Sequence, residues 1–324
     1  MKKIVFNKTL IFSLLLSALL SFSIISSAQK FVIPIFPDTQ GEVGGQMDMF
    51  NSQLYWIVSQ KDSLNIPYVL HVGDIVNFDN IGHWENADKG FKILDDAKIP
   101  YVLCLGNHDT EAVGVNSGSA ASNAPGATHL NVRKTTKFNK YFPVSRLSGQ
   151  EGRYEQGKSD NAYYTYKAGG LDWLIVSLEF CARQGPVEWA GKVIAEHPNH
   201  NVIILTHYHL NGSGDIAERN AGYGDLSPYE IYDLLIKKYP NILLVLSGHT
   251  GNSAWRNDRG DNGNRIYQIL QDYQGENMGD GYLRLLEINP ERRSITGKIY
   301  SPYNKKEKCE AFIRFNGVTF IQPK

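Results

Sequence analysis

Apolar and polar positions along this chain follow two rhythms. Short unbroken apolar runs, the first spanning 31–36 (FVIPIF), read as strands buried on both faces. After it, Met49, Phe50, Leu54, Ile57, Val58 and Leu64 recur at helical spacing, which predicts a helix over 46–64. A second strand lies within 66–76 (IPYVLHVGDIV), a helix over about 83–97, and a third strand within 99–109 (IPYVLCLGNHD). Strand, helix, strand, helix, strand predicts right-handed crossovers on a largely parallel sheet.

Residues 110–160 break the rhythm. They are small, polar and Gly-rich around Phe138, Tyr141, Phe142 and Pro143, and read as an insertion, either a functional lid or a disordered surface loop. The pattern resumes at 162–180, where two apolar runs joined by Gly169 and Gly170 predict a hairpin. A helix near 187–196 leads into the strand of 201–209 (NVIILTHYH), and a helix near 228–238 into that of 241–251 (NILLVLSGHTG). From Asn264 onward, strand-like segments separated by turns predict a β-rich C-terminal part.

Composition adds location and excludes some partners. A basic start, Met1-Lys2-Lys3, a charge-free apolar stretch from Thr9 and the small residues Ser26-Ser27-Ala28 read as a signal peptide over 1–28, with an uncleaved anchor as the rival reading. No cysteine follows the apolar run, which argues against a lipid anchor. The expectation is a secreted or periplasmic protein without stable membrane insertion after cleavage. Lysine and arginine total 33 against 33 acidic residues, and no lysine-rich block is present, so no field for nucleic acid is indicated. Cys104, Cys181 and Cys309 are too few and odd in number for a disulfide framework; they read as buried free thiols, with a single bridge as the alternative.

Five apolar runs each end in a side chain able to bind metal: Asp38, Asp74, Asn107, His207 and His249. Ligand sites of open α/β sheets lie beyond the carboxyl ends of the strands, which would bring all five to one rim. Singly, each has an ordinary role as a cap, a turn residue or a hydrogen-bonded histidine. Together, in one order and with preceding glycines that allow sharp turns, they argue for a metal site. Oxygen and imidazole donors without thiolate suit divalent Mn, Fe, Zn or Mg. The two oxygens of Asp74 can bridge a pair of ions, and ions about 3.5–4 Å apart can clamp a phosphate oxygen and generate hydroxide for in-line attack. His108 is cast as proton donor to the leaving oxygen, with Asp109 holding its other ring nitrogen.

The segments Asp38-Thr39-Gln40, Gly73-Asp74, Gly106-Asn107-His108-Asp109, His207 and Gly248-His249-Thr250-Gly251 resemble the motif series of the calcineurin-like metallophosphoesterases. The start Pro37-Asp38-Thr39-Gln40, together with GHTG and QDYQGENMGDGYLRLL, resembles a bacterial secreted branch of that family. The resemblance implies a four-layer α/β/β/α sandwich with a β-rich C-terminal part, residues 29–324 forming one domain with its insertion at about 110–160. It implies a phosphatase or phosphodiesterase acting on a phosphate ester by attack of metal-bound water or hydroxide, His108 being the general acid.

By the same resemblance, Asp38 and a bridging Asp74 bind a first divalent ion, and Asp74, Asn107, His207 and His249 a second. The departures fall on one side, for Gln40 and Gly251 stand where the family has histidines. Gln40 offers a neutral amide oxygen, so the first position is expected to be weaker and biased toward Mg, Mn or Ca-like ions. His209, Asn77 and Arg256 are candidate contacts to substrate phosphate, with Asn252 and Arg259 behind them. Trp84, Trp189 and Trp255 read as packing. The alternative of another class is a non-hydrolytic metal-binding surface protein on the same scaffold, against which the retained His108 and Asp109 argue.

Overall fold

A computed structural model describes residues 29–114, 128–275 and 277–324; the expected signal segment, 1–28, and residues 115–127 of the insertion lie outside the described residues. The chain opens with β1 (Phe31–Phe36), α1 (Gln40–Gly45), α2 (Met47–Gln60), β2 (Val69–His71), α3 (Ile81–Asp96) and β3 (Tyr101–Leu103). The insertion contributes α4 (Thr128–Asn131), α5 (Thr136–Tyr141) and β4 (Gln150–Arg153). Then come β5 (Ala162–Ala168), β6 (Leu171–Leu178), α6 (Gln184–Glu196), β7 (Asn201–Thr206), α7 (Pro228–Leu234) and β8 (Ile242–Ser247). The last strands are β9 (Ser253–Arg259), β10 (Arg265–Gln271), β11 (Leu283–Asn289), β12 (Ser294–Ser301) and β13 (Lys306–Asn316).

Among the described residues these strands form a six-stranded sheet, β13-β12-β11-β1-β2-β3, and a seven-stranded sheet, β4-β5-β6-β7-β8-β10-β9. β1, β2 and β3 are mutually parallel, as are β6, β7, β8 and β10, so seven carboxyl ends define the site edge.

Side-chain alternation explains the layering. Phe31, Ile33 and Ile35 of β1 face the other sheet, where they join Ile175, Ile203, Leu205, Leu244, Leu246 and Ile269 in one core; Phe31 meets Trp173 edge-on at 5.6 Å. Phe36 points the opposite way, onto Phe50 of α2 and Phe91 of α3. On the outer side of the seven-stranded sheet, Leu174, Val176, Val202, Ile204 and Val245 pack against α6 and α7 through Val187, Ala190, Ile194 and Ile231. Each such fully buried large side chain is worth about 1.5–3 kcal/mol of transfer free energy, which is why the apolar runs set the architecture. The result is the expected α/β/β/α sandwich.

Local differences have local causes. Regular helix stops at Gln60 rather than 64, where a turn ends at Asn65 in the left-handed region; Leu64 stays packed on the core as part of that turn, which extended the periodicity. α7 opens on a reciprocal Ser227–Glu230 capping box, then tightens into a 3₁₀ turn over Ile236–Lys238. The insertion is anchored over 128–160: Phe138 and Phe142 are fully buried against Trp84, and Arg146 pairs with Asp88 and Asp95. Trp84 is therefore packing, whereas Trp255 is half-exposed beside Phe315. The three cysteines are unbridged, Cys104 and Cys181 buried and Cys309, against expectation, exposed. No helix among the described residues is long and apolar enough to cross a membrane.

Helix α3 touches α2 through Gly90, where a Cβ would lie 2.4 Å from the ring of the fully buried Phe50. A Gly90→Leu variant is expected to lose about 2 kcal/mol net, because overpacking at the upper end of its usual range outweighs the roughly 1 kcal/mol of helix propensity gained. Equilibrium urea unfolding measures it; an unchanged midpoint would mean that the two helices are not in this contact.

Candidate metal centre

The site forms where loops leave the parallel strands of both sheets. Asp38 follows β1, Asp74 follows β2 and Asn107 follows β3; His207 and His249 follow β7 and β8. Two glycines allow the loops to close. A Cβ at Gly106 would sit 2.0 Å from Asp74 Oδ1, and one at Gly248 would sit 2.1 Å from Asp38 Oδ1. Asp74 (φ 54) and His249 (φ 76) both adopt the left-handed region, a strained choice for residues with a Cβ that clusters at functional sites.

Donor atoms of Asp74, His207 and His249 lie within 4.8 Å of one another. The Nδ1 of His207 faces the Val72 carbonyl at 2.9 Å, and since a carbonyl brings no hydrogen, Nδ1 carries it and donates. That leaves Nε2, 3.2 Å from Asp74 Oδ2 and 3.8 Å from Asp38 Oδ2, as the nitrogen turned into the site. His207 Nε2, Asn107 Oδ1 and Gln40 Oε1 are all buried without a hydrogen-bond partner. An unsatisfied buried polar atom costs about 1–3 kcal/mol, and these three stand on segments that follow β7, β3 and β1, so their donor chemistry fits divalent cations at this edge.

The electrostatics agree. Burial, then the carboxylates of Asp272 and Asp74, push Asp38 well above the ordinary carboxylate range. Burial also pushes Asp74 up, but the imidazoles of His207, His108 and His249 outweigh it and hold the group below its usual value. Burial and the neighbouring His207 push His249 down to about 3, so its ring is neutral and available as a ligand. For His207, burial is outweighed by Asp74, which raises it. A proton on Nε2 and a cation beside it are alternative ways to satisfy that attraction.

Several expected roles are not what the structure shows. Asp109 does not hold the His108 ring: Oδ1 accepts from Ile75 N (2.8 Å) and Val76 N (3.1 Å), and Oδ2 from Gly106 N (2.9 Å). It staples the loop after β2 to the loop after β3. The Nδ1 of His108 instead donates to the carbonyl of Asn77 at 2.6 Å, so Asn77 acts through its backbone. His209 is buried and bonded to Gln268 Oε1 at 2.6 Å, and Gln268 in turn donates to Asp258, the partner of Arg256. His209 and Arg256 thus belong to a polar network across β9 and β10 rather than to the phosphate position. Asn252 accepts from Ser253 N, and Arg259 donates to the Gly263 carbonyl in the distant β9–β10 turn.

Four contributors escaped the sequence reading. His71, from VLHVGD, accepts Gly73 N on Nδ1 at 3.1 Å and so donates from Nε2 to Thr39 Oγ1 at 2.8 Å, tying the Asp38 and Asp74 loops together. Burial, with His207, pushes it down to about 3, which keeps it neutral in that role. Phe180, Tyr208 and Tyr223 wall His249, with ring centroids 5.2, 4.6 and 6.2 Å away. Histidine one strand position before V-G-D was a signal that could have been read; the aromatic wall left none.

Replacing Asp109 by Asn keeps its shape but turns an amide N–H₂ toward a backbone donor. The variant is expected to lose about 1–3 kcal/mol of stability in thermal or urea unfolding while the pH profile of turnover stays in place. A shifted profile at unchanged stability would return Asp109 to the imidazole.

Comparison with known proteins bears on the same residues. The sequence profile of the family described as Calcineurin-like phosphoesterase matches residues 35–252, which contain all six expected metal-binding positions. The Bacillus subtilis (strain 168) protein YvnB, described as uncharacterized, is 30% identical over 277 residues; the match covers 83% of this chain and only 20% of YvnB. A dimetal phosphatase from Danio rerio shares the fold at TM-score 0.56 and 12% identity, covering 88% of this chain and 98% of that one. A purple acid phosphatase from yellow lupin (Lupinus luteus) does so at TM-score 0.54 and 14% identity, covering 90% of this chain and 55% of that one. With two thirds of its length matched by the profile and the motif side chains gathered at one edge of the sandwich, the chain belongs to the calcineurin-like phosphoesterase family.

Proposed function

We propose that this protein is a metal-dependent phosphoesterase whose centre takes two divalent ions, with Asp74 between them. The observation that carries the reading is the meeting of His207 Nε2, buried and unpartnered, with the carboxylates of Asp38 and Asp74, on a rim to which Gln40 and Asn107 each add a buried amide oxygen without a partner. When bound, the ions supply Lewis acidity toward a phosphate oxygen and a nucleophilic oxygen for in-line displacement.

The chain's own residues supply position and protons. Asn107, His207 and His249 would hold the second position, and Asp38 and Gln40 the first, Asp74 serving both. His108 is fixed twice: its backbone N–H donates to Asp74 Oδ1 at 2.9 Å, and its Nδ1 to the Asn77 carbonyl. Its Nε2 is left to deliver a proton to the departing oxygen. Tyr208, with Arg256 and Arg219, lines a cleft of about 640 Å³ next to His249, the natural bed for the alcohol part of an ester. Export through residues 1–28 belongs to the proposal as well.

Hydrolysis of an aryl phosphate and an aryl phosphodiester in Mn is the direct assay, with Asp74→Asn as control. The proposal expects turnover of at least one, lost in the control; metal uptake with no hydrolysis of either would favour the non-catalytic binder. His108→Ala is expected to lower kcat by about 10²–10⁴-fold with metal content unchanged. Loss of metal and activity together would make His108 a ligand or a structural residue.

A further inference from the structure

The two positions are unequally furnished. The side chain that the family pattern would place at 251 is missing, for that residue is Gly251. What stands in its neighbourhood is a carboxylate: Asp272 Oδ2 accepts Gly251 N at 2.5 Å and lies 3.8 Å from where a Cβ on Gly251 would be. Asp272 is 1% exposed and follows β10, which runs parallel to β8. It is therefore a sixth strand end on the same rim.

A second, independent observation comes from Gln40. Its Nε2 donates to Gln274 Oε1, and Gln274 Nε2 donates to Asp272 Oδ2 at 3.1 Å. With its nitrogen engaged by Gln274, the amide must turn its oxygen the other way. That Oε1 is the atom left buried and unpartnered, on a side chain only 8% exposed. Asp272 is also the charged group that acts most strongly on Asp38, and among the described residues no lysine or arginine forms an ion pair with either. Two buried carboxylates close enough to act on each other, with the orphaned amide oxygen of Gln40 joined to one of them through Gln274, form a donor set that a cation fits.

Resting on the two-ion reading above, we propose that Asp272 replaces the absent histidine as a ligand of the first position, giving it an all-oxygen set of Asp38, Gln40, Asp74 and Asp272. Oxygen donors without imidazole favour hard ions such as Mg, Mn or Ca, whereas the second position, with two imidazoles, suits borderline ions such as Zn or Fe. The pair would thus be chemically unlike.

The test uses the full chain, stripped with EDTA and reloaded with Mn. Ions per chain are counted by plasma mass spectrometry, and the electron spin resonance spectrum reports whether they couple. The parent is expected to hold two coupled ions. Asp272→Asn, which keeps an acceptor for Gly251 N, is expected to hold one, with an uncoupled six-line spectrum. Gln40→Leu should lower occupancy of the same ion. In EDTA, Asp272→Asn is expected to melt somewhat lower than the parent whichever role Asp272 has, because Oδ1 also accepts Gln274 N at 3.0 Å and the amide N–H₂ faces one of the two backbone donors, so the ion count and the coupling decide. Two coupled ions in Asp272→Asn would make Asp272 a loop acceptor only and overturn the inference. Fewer than two ions in the parent would instead overturn the two-ion reading itself.

Discussion

Buried carboxylates without a lysine or arginine partner are the constraint around which this molecule is organised. Asp38, Asp74, Asp109 and Asp272 are each at most 2% exposed, and among the described residues none forms an ion pair with lysine or arginine. A buried charge is costly unless it is paired and hydrogen-bonded. Backbone N–H groups supply part of the compensation: His249 N reaches both oxygens of Asp38, at 3.2 and 3.0 Å, and His108 N reaches Asp74. The first of these bonds crosses from one sheet to the other. Closing the site and closing the sandwich are therefore the same event, and the close contact of Gly248 with Asp38 follows from it.

The division of donors between the sheets sets the chemistry. The six-stranded sheet brings oxygen through Asp38, Asp74 and Asn107, while the seven-stranded sheet brings nitrogen through His207 and His249 together with the carboxylate of Asp272. Asp74 stands at the seam, drawn below its usual range by the imidazoles despite its burial. A centre built this way is polar on one side and aromatic on the other, where Phe180, Tyr208 and Tyr223 fix the His249 ring. The family to which the chain belongs implies a dimetal centre, and the orphaned donor atoms here are consistent with one.

Much of this was legible in the sequence because strands that are buried on both faces are continuous in apolar residues, so a polar side chain at their end stands out. That is how Asp38, Asp74, Asn107, His207 and His249 were found, whereas the four layers were expected from the family resemblance that those residues carry. What could not be read was direction. Nothing in Gly106-Asn107-His108-Asp109 says that Asp109 turns inward to three backbone donors while the Asn77 carbonyl takes the His108 ring. His209 shares strand spacing with His207, yet it meets Gln268 on β10, a neighbour that only the sheet order reveals. Asp272 carries the same signal as the other five, an apolar run ending in a polar residue, but its strand was grouped with the C-terminal tail. In the insertion, Phe138 and Phe142 stood out among polar neighbours, but no periodicity showed that their burial anchors the segment.

The central claim is that one edge of the sandwich holds two cations on side chains from both sheets. Anomalous diffraction from a Mn-soaked crystal tests it most directly. The account predicts two peaks about 3.5–4 Å apart with the Asp74 carboxylate in contact with both. A single peak, or two that Asp74 does not join, would contradict it.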